Sequence, residues 1–168
     1  MAADSLNQAP RIEVRRVTSP EDLETIFAIR HAVFVEEQRL TPDARHDPDD
    51  RRSTHYLAYL DGEPVGTGRL TMFGTEAQIA WLAVLEPQRG SGVGKAMMEA
   101  MLADATVANS DYVILNAQTH ALEFYQRLGF RTVGDVFTMS RIPHQVMMAS
   151  LHPGAGEDIR RYLDQFGR

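Results

Sequence analysis

The chain is 168 residues long, 43% hydrophobic and 24% charged, with no cysteine. A single domain of that size buries roughly 70% of its unfolded surface without help from a disulfide or metal, and the composition excludes a disordered chain, a collagen-like repeat and a small disulfide scaffold. Seventeen Lys plus Arg against 23 Asp plus Glu leave a net charge of −6, which argues against a nucleic-acid groove that must neutralise many phosphates.

The missing cysteine removes thiolate zinc sites and any cysteine acyl-enzyme. No apolar run approaches the about 20 residues that span a bilayer, and residues 1–8 lack the charged and apolar regions of a signal peptide. The expectation is a cytoplasmic protein with neither a membrane nor a nucleic acid as partner.

Residues 1–10 are small and polar and read as a flexible tail. Residues 12–17 alternate apolar and polar, the period of a half-buried strand. Ser19-Pro20-Glu21-Asp22 then carries a helix start: a hydroxyl cap, a proline at the first turn and acids at the positive dipole end. Leu23, Ile26, Phe27, Arg30, Val33 and Phe34 recur on one face and predict a helix to about residue 36. Arg30 on that stripe requires a partner, expected among Glu36, Glu37 and Asp47 or on an acceptor carboxylate. Residues 41–53 read as a polar loop.

Residues 55–60 and 64–72 predict a hairpin about Asp61-Gly62, and residues 77–85 an apolar strand for the middle of a sheet. Val93, Met97, Met98, Met101, Leu102 and Ala105 form the stripe of a helix ending near Ala108-Asn109. Trp81 and the three methionines read as packing. Residues 112–115 predict a short buried strand. Ala121, Phe124, Tyr125 and Leu128 mark a short helix closed by Gly129. Two strands follow over 132–139 and 145–151, and the residues after Pro153 predict a short amphipathic helix. The order implies one α/β domain.

The most informative stretch is Arg89-Gly90-Ser91-Gly92-Val93-Gly94-Lys95, between a buried strand and a helix. Alternate glycines let the backbone approach a ligand closely, and the first amides of the helix point outward at a positive dipole end, which together suit phosphate oxygens. Arg89 and Lys95 add charge at the rim. A P-loop fails, because Arg89 stands where its first glycine belongs and Ala96 where its hydroxyl belongs. The dinucleotide fingerprint fails too, its third glycine being Lys95 or Met97. A glycine-rich turn without ligand is the plain alternative.

Arg89-x-x-Gly92-x-Gly94, preceded by Leu82-Ala83-Val84 and followed by Asn116 and Ala121-x-x-Phe124-Tyr125-x-x-Leu128-Gly129-Phe130, resembles the two cofactor motifs of the GNAT family of N-acetyltransferases in order and spacing. Arg30-x-x-Val33-Phe34-Val35-x-Glu37-Gln38 and Ile142-Pro143-His144 resemble its bacterial ElaA/YjcF-like branch. The resemblance covers about residues 11–151, the expected acetyltransferase domain, with 152–168 as a C-terminal extension. It implies a mixed, mostly antiparallel α/β (α+β) sheet flanked by helices, with strands 4 and 5 splayed to hold the cofactor.

The implied co-substrate is acetyl-coenzyme A, its diphosphate on residues 89–95 and its pantetheine arm along Leu82, Ala83 and Val84. An amide at Ala83 or Val84 would meet the thioester oxygen, with Asn116, Ala121 and Phe124 beside the arm. The family's phenol that protonates or stabilises the leaving thiolate matches Tyr125, whose spacing also fits a core aromatic. The implied reaction is direct attack by a primary amine, from a small molecule, in a ternary complex. A non-catalytic acyl-coenzyme A-binding module, another acyl group and an oxygen acceptor are the alternatives. The attacking amine needs a base, with Glu36, Glu37 and His144 as first candidates and His55 and Asp47 behind them. His46, Asp47, Asp49, Asp50 and His55 lack helical His-x-x-x-His spacing, and no metal is expected. A monomer and a homodimer are both compatible with the sequence.

Overall fold

The computed structural model of the chain describes residues 8–152. Seven strands form one sheet: β1 (Ile12–Val17), β2 (Thr54–Leu60), β3 (Glu63–Phe73), β4 (Glu76–Val84), β5 (Tyr112–Gln118), β6 (Arg131–Met139) and β7 (Ile142–Ser150), in the order β1-β2-β3-β4-β5-β7-β6. All neighbours are antiparallel except β4 and β5. β4 is therefore central, as its apolar run requires. The helix expected after Pro153, and residues 1–7 of the expected tail, lie outside the described residues.

Helix α1 (Pro20–Arg30) starts as its cap chemistry dictates, with the Ser19 hydroxyl accepting from the Asp22 amide at 3.1 Å. It packs Ile26 and Ile29 against Leu57 and Ala83 on one sheet face. Helix α2 (Val93–Val107) covers the other face with Met97, Met98 and Met101, all fully buried; each such side chain contributes about 1.5–3 kcal/mol of burial. A short helix α3 (Leu122–Gln126) follows β5, and Gly129 ends that segment with φ +97°.

Three expectations are corrected. The first helix does not run on as an α-helix to residue 36: at His31–Glu37 it widens into a π-helix, with the Gln38 amide reaching back five residues to the Val33 carbonyl at 3.0 Å. Such wide turns re-aim side chains and recur at functional sites. β5 runs on to Gln118, so Asn116 lies within the strand rather than after it. Arg30 finds neither Glu36, Glu37 nor Asp47 but a two-point contact with Asp50, at 2.8 and 3.2 Å. Asp50 is brought there by a 3₁₀ turn at Pro48–Arg52, which Asp47 caps through the Asp49 amide.

Candidate active site

Strands β4 and β5 run side by side through only three residue pairs, Glu76 with Tyr112, Ala77 with Val113 and Gln78 with Ile114. Beyond them β5 stays with β7 as far as Gln118 opposite His144, while β4 stays with β3. The gap is a cleft of about 1660 Å³. Just past the parting β4 carries a bulge, where Trp81 and Leu82 together stand opposite the single residue Gly68 and Trp81 has φ +54°. An extra residue of this kind bends a strand and increases its twist, and for a bulky side chain the left-handed region costs about 1–2 kcal/mol.

The bulge also decides which backbone groups face the gap. The Leu85 amide donates to the Val65 carbonyl on β3 at 2.9 Å. With a period of two, Ala83, paired with Thr67, turns the same way and Val84 turns to the open side. There the Val84 carbonyl accepts from Arg89 Nε at 3.0 Å. Of the two amides proposed for the thioester oxygen, the Val84 amide is thus the one on the open edge.

The glycine turn lies at the end of this edge. Gly90 and Gly92 have φ +80° and +92°, closed to most side chains. Gly92 begins α2 without a side-chain cap, and the first intrahelical bond runs from the Ala96 amide to the Gly92 carbonyl. The amides before it point out of the helix without a partner inside it. A β-carbon on Gly94 would stand 3.5 Å from the Phe124 ring and 3.8 Å from Val84, in the space between β4 and α3. The gap, the bare strand edge and the helix N-terminus together have the shape and chemistry of a site for a long ligand with a phosphate end. Ser91, by contrast, turns its hydroxyl back onto the Gln88 carbonyl, and Lys95 reaches Glu99 at 3.9 Å along the helix.

Of the catalytic and cofactor candidates, all but Glu36, His55 and Ser91 line this one cleft. Glu36 points to solvent beside His31, 3.4 Å away. Glu37, one residue on, holds the Arg89 guanidinium through both oxygens at 2.7 and 2.8 Å, tying the π-helix to the glycine turn. His144 is buried, with Nδ1 donating to the Ile142 carbonyl at 2.7 Å and its ring stacked on Phe137. That bond leaves the lone pair of the neutral ring on Nε2. Tyr125 packs edge-on against Phe124 and Phe130, and its hydroxyl has no partner among the described residues. Burial pushes its phenol up to about 12, so it stays protonated at neutral pH.

Contacts between distant segments complete the other wall. Gln38 and Gln118 exchange amide hydrogen bonds at 2.8 and 3.3 Å, joining the π-helix to β5. Trp81, read from its spacing as packing, does pack against the α1 cluster, and it also lines the cleft and donates its indole N–H to Asp47 at 2.9 Å. Nothing in the local pattern signals either contact, since each joins segments more than 30 residues apart. Asp47 and Asp50 both accept from Arg69, at 2.8 and 3.0 Å, and His55 meets the Asp50 carbonyl. Their oxygens are thus committed to guanidinium groups and an indole.

A family model described as an acetyltransferase (GNAT) domain matches residues 16–151. The chain is 35% identical over 129 residues to YjcF of Bacillus subtilis, named an uncharacterised N-acetyltransferase, covering 76% of this chain and 92% of that one. The crystal structure of Escherichia coli ElaA superposes with a TM-score of 0.75 at 30% identity, over 83% of this chain and all of ElaA. An acyl-CoA N-acyltransferase from Pseudomonas aeruginosa gives 0.73 at 28%, over 84% and 99%. With the motifs, the parted strands and these relatives in agreement, the chain belongs to the GNAT acetyltransferases, on the ElaA and YjcF side of the family, and is an acyltransferase.

Proposed function

We propose that the protein transfers the acetyl group of acetyl-coenzyme A to the primary amine of a small molecule, by direct attack within a ternary complex. The observation that carries this reading is the separation of β4 from β5 after Gln78, leaving the Val84 amide on a bare edge that leads into the glycine turn. The relatives support it: one neighbour is named for acyl-CoA N-acyl transfer. When bound, acetyl-coenzyme A supplies a thioester. Everything else is the work of this chain.

The amides at residues 90–95, with Arg89 and Lys95 beside them, hold the diphosphate. The edge of β4 at residues 82–84 holds the pantetheine arm, with Asn116, Ala121 and Phe124 on the opposite wall. The Val84 amide donates toward the thioester oxygen, where negative charge grows as the amine attacks; a fixed donor of this kind is worth about 2.7–4 kcal/mol. His144 Nε2, the one nitrogen left with a lone pair, takes the proton from the amine. Glu37 is less suited to that task, because its carboxylate is held by Arg89. The C–N bond forms, the C–S bond breaks, and the sulfur leaves as a thiolate.

Tyr125 donates its hydroxyl to that sulfur. A coenzyme A thiol, with a pKa near about 8.5 by analogy with cysteine, is a stronger acid than a phenol at about 12. The tyrosine therefore stabilises the thiolate through a hydrogen bond more than it gives up its proton.

Calorimetric titration with acetyl-coenzyme A, followed by coenzyme A release across a panel of polyamines, aminosugars, arylamines and amino acids, tests the reading. Binding with amine-dependent thiol release is expected. Binding without release across the panel would make the protein a non-catalytic acyl-coenzyme A-binding module.

A further inference from the structure

Trp81 is held in its strained conformation from three sides. Its indole N–H donates to Asp47 Oδ2 at 2.9 Å, the Arg30 guanidinium lies 4.8 Å above its ring, and Phe34 meets it edge-on at 5.2 Å. Asp47 is fixed in turn by Arg69, which stands on β3 opposite Ala80, the last regular pair before the bulge. Arg69 and fully buried Arg30 share Asp50. Arg30, Asp50, Arg69, Asp47 and Trp81 thus form one connected chain from α1 to the bulge.

Buried ion pairs are poor evidence for stability, since apolar replacements of the same shape often do as well. This one also leaves the Nε atoms of both arginines without a partner among the described residues. What it does fix is register. Without the extra residue in β4, Ala80 opposite Arg69 would be followed by Trp81 opposite Gly68 and Leu82 opposite Thr67. The period of two would then turn the Val84 backbone toward β3 and away from the cleft.

We infer that the Asp47–Trp81 hydrogen bond is a positioning device for acyl transfer: by pinning the bulge it keeps the Val84 amide on the open edge of β4, aimed at the thioester oxygen. The inference rests on the proposed donor site. Asp47 and Trp81 act through the backbone of β4, not on the reacting atoms. Burial works against the charge of Asp47, but hydrogen bonds from Trp81, the Asp49 amide and Arg69 outweigh it and hold the carboxyl below its ordinary range. The acceptor of the indole proton is therefore an anion throughout the neutral range.

Trp81→Phe removes the indole N–H and keeps the ring against Arg30 and Phe34. Its kcat should fall about 10- to 100-fold, while affinity for coenzyme A, which has no acyl oxygen, changes less than about threefold. The carbonyl stretch of bound [¹³C]acetyl-coenzyme A, lowered by an aimed donor, should return toward its solution frequency. The backbone amide of Leu85, bonded to the Val65 carbonyl on β3, should exchange faster in the free protein. Asp47→Asn keeps an oxygen for the indole and should retain an intermediate rate and frequency, whereas Asp47→Ala should match Trp81→Phe, and the Trp81→Phe/Asp47→Ala double variant should be no worse than either. Variants that unfold at lower temperature yet keep the wild-type kcat and carbonyl frequency would overturn the inference, leaving the contact a matter of stability. If the wild type itself binds acetyl-coenzyme A without lowering its carbonyl stretch, the inference falls while donor binding stands; if it binds none, the donor-site reading falls with it.

Discussion

The two walls of the cleft are made of different materials. The wall proposed for the donor is mostly backbone: a bare strand edge, a glycine turn with φ values of +80° and +92°, and the first amides of α2. The acceptor wall is mostly side chains, brought from the π-helix, the loop before β2, β5 and the β6–β7 hairpin, and held by pairs such as Glu37–Arg89, Gln38–Gln118 and Asp47–Trp81. A wall of main-chain groups can hold a constant ligand whatever its side chains are, whereas a wall of side chains can be changed residue by residue. That difference suits a transferase whose donor is common to a family and whose acceptor is its own.

The sharpest test of the division lies where the two walls meet. Tyr125→Phe should lower kcat about 100-fold and leave coenzyme A affinity within about twofold, read by steady-state kinetics and calorimetry side by side. Loss of affinity instead would assign the tyrosine to the donor wall alone. His144→Gln comes next, with kcat down about 30-fold; a kcat equal to that of the wild type would return the base to Glu37 or to water.

Gly94→Val breaks the donor wall alone. Its side chain would occupy the space between Val84 and Phe124, and coenzyme A affinity should fall about tenfold, or ~1.4 kcal/mol, with acceptor KM little altered. Glu37→Gln should do the opposite. It frees the Arg89 guanidinium for phosphate, so donor affinity should hold or rise, by up to about threefold, while acceptor KM increases. Because this ion pair is partly exposed, its loss should cost no more than about 1 kcal/mol of stability.

The smallest effect concerns pH. The Tyr125 phenol is raised by burial to about 12, above the ordinary value near 10 that it regains on unfolding. The stability gained by keeping it protonated is complete below about pH 10 and is lost as pH climbs from there to about 12. The melting temperature of Tyr125→Phe should therefore decline less steeply than that of the wild type across this window.

Much of the framework was legible in the residues because its determinants are local. The Ser19 cap, the Asp61-Gly62 turn and the spacing of Met97, Met98 and Met101 each specify an element within a few positions. The glycine motif announces its own helix N-terminus. The acceptor wall was legible only as candidates. Glu36 and Glu37 were both base candidates in the sequence, yet the π-helix turns Glu37 into the cleft and leaves Glu36 in solvent. Arg30 called for a carboxylate, but the one it received, Asp50, depends on how a polar loop folds back over α1.

By itself, then, the chain's order of residues determined the α/β class, most strand positions and the glycine turn before α2, since these follow from periodicity and from what glycine, proline and capping side chains do to nearby backbone, and its motifs pointed to the family. Tertiary structure alone decided where β4 leaves β5, which amide faces the gap and which carboxylates pair with which arginines. Those outcomes hang on a single extra residue at Trp81 and on contacts between segments far apart in sequence, where a shift of one position turns every following group to the other side.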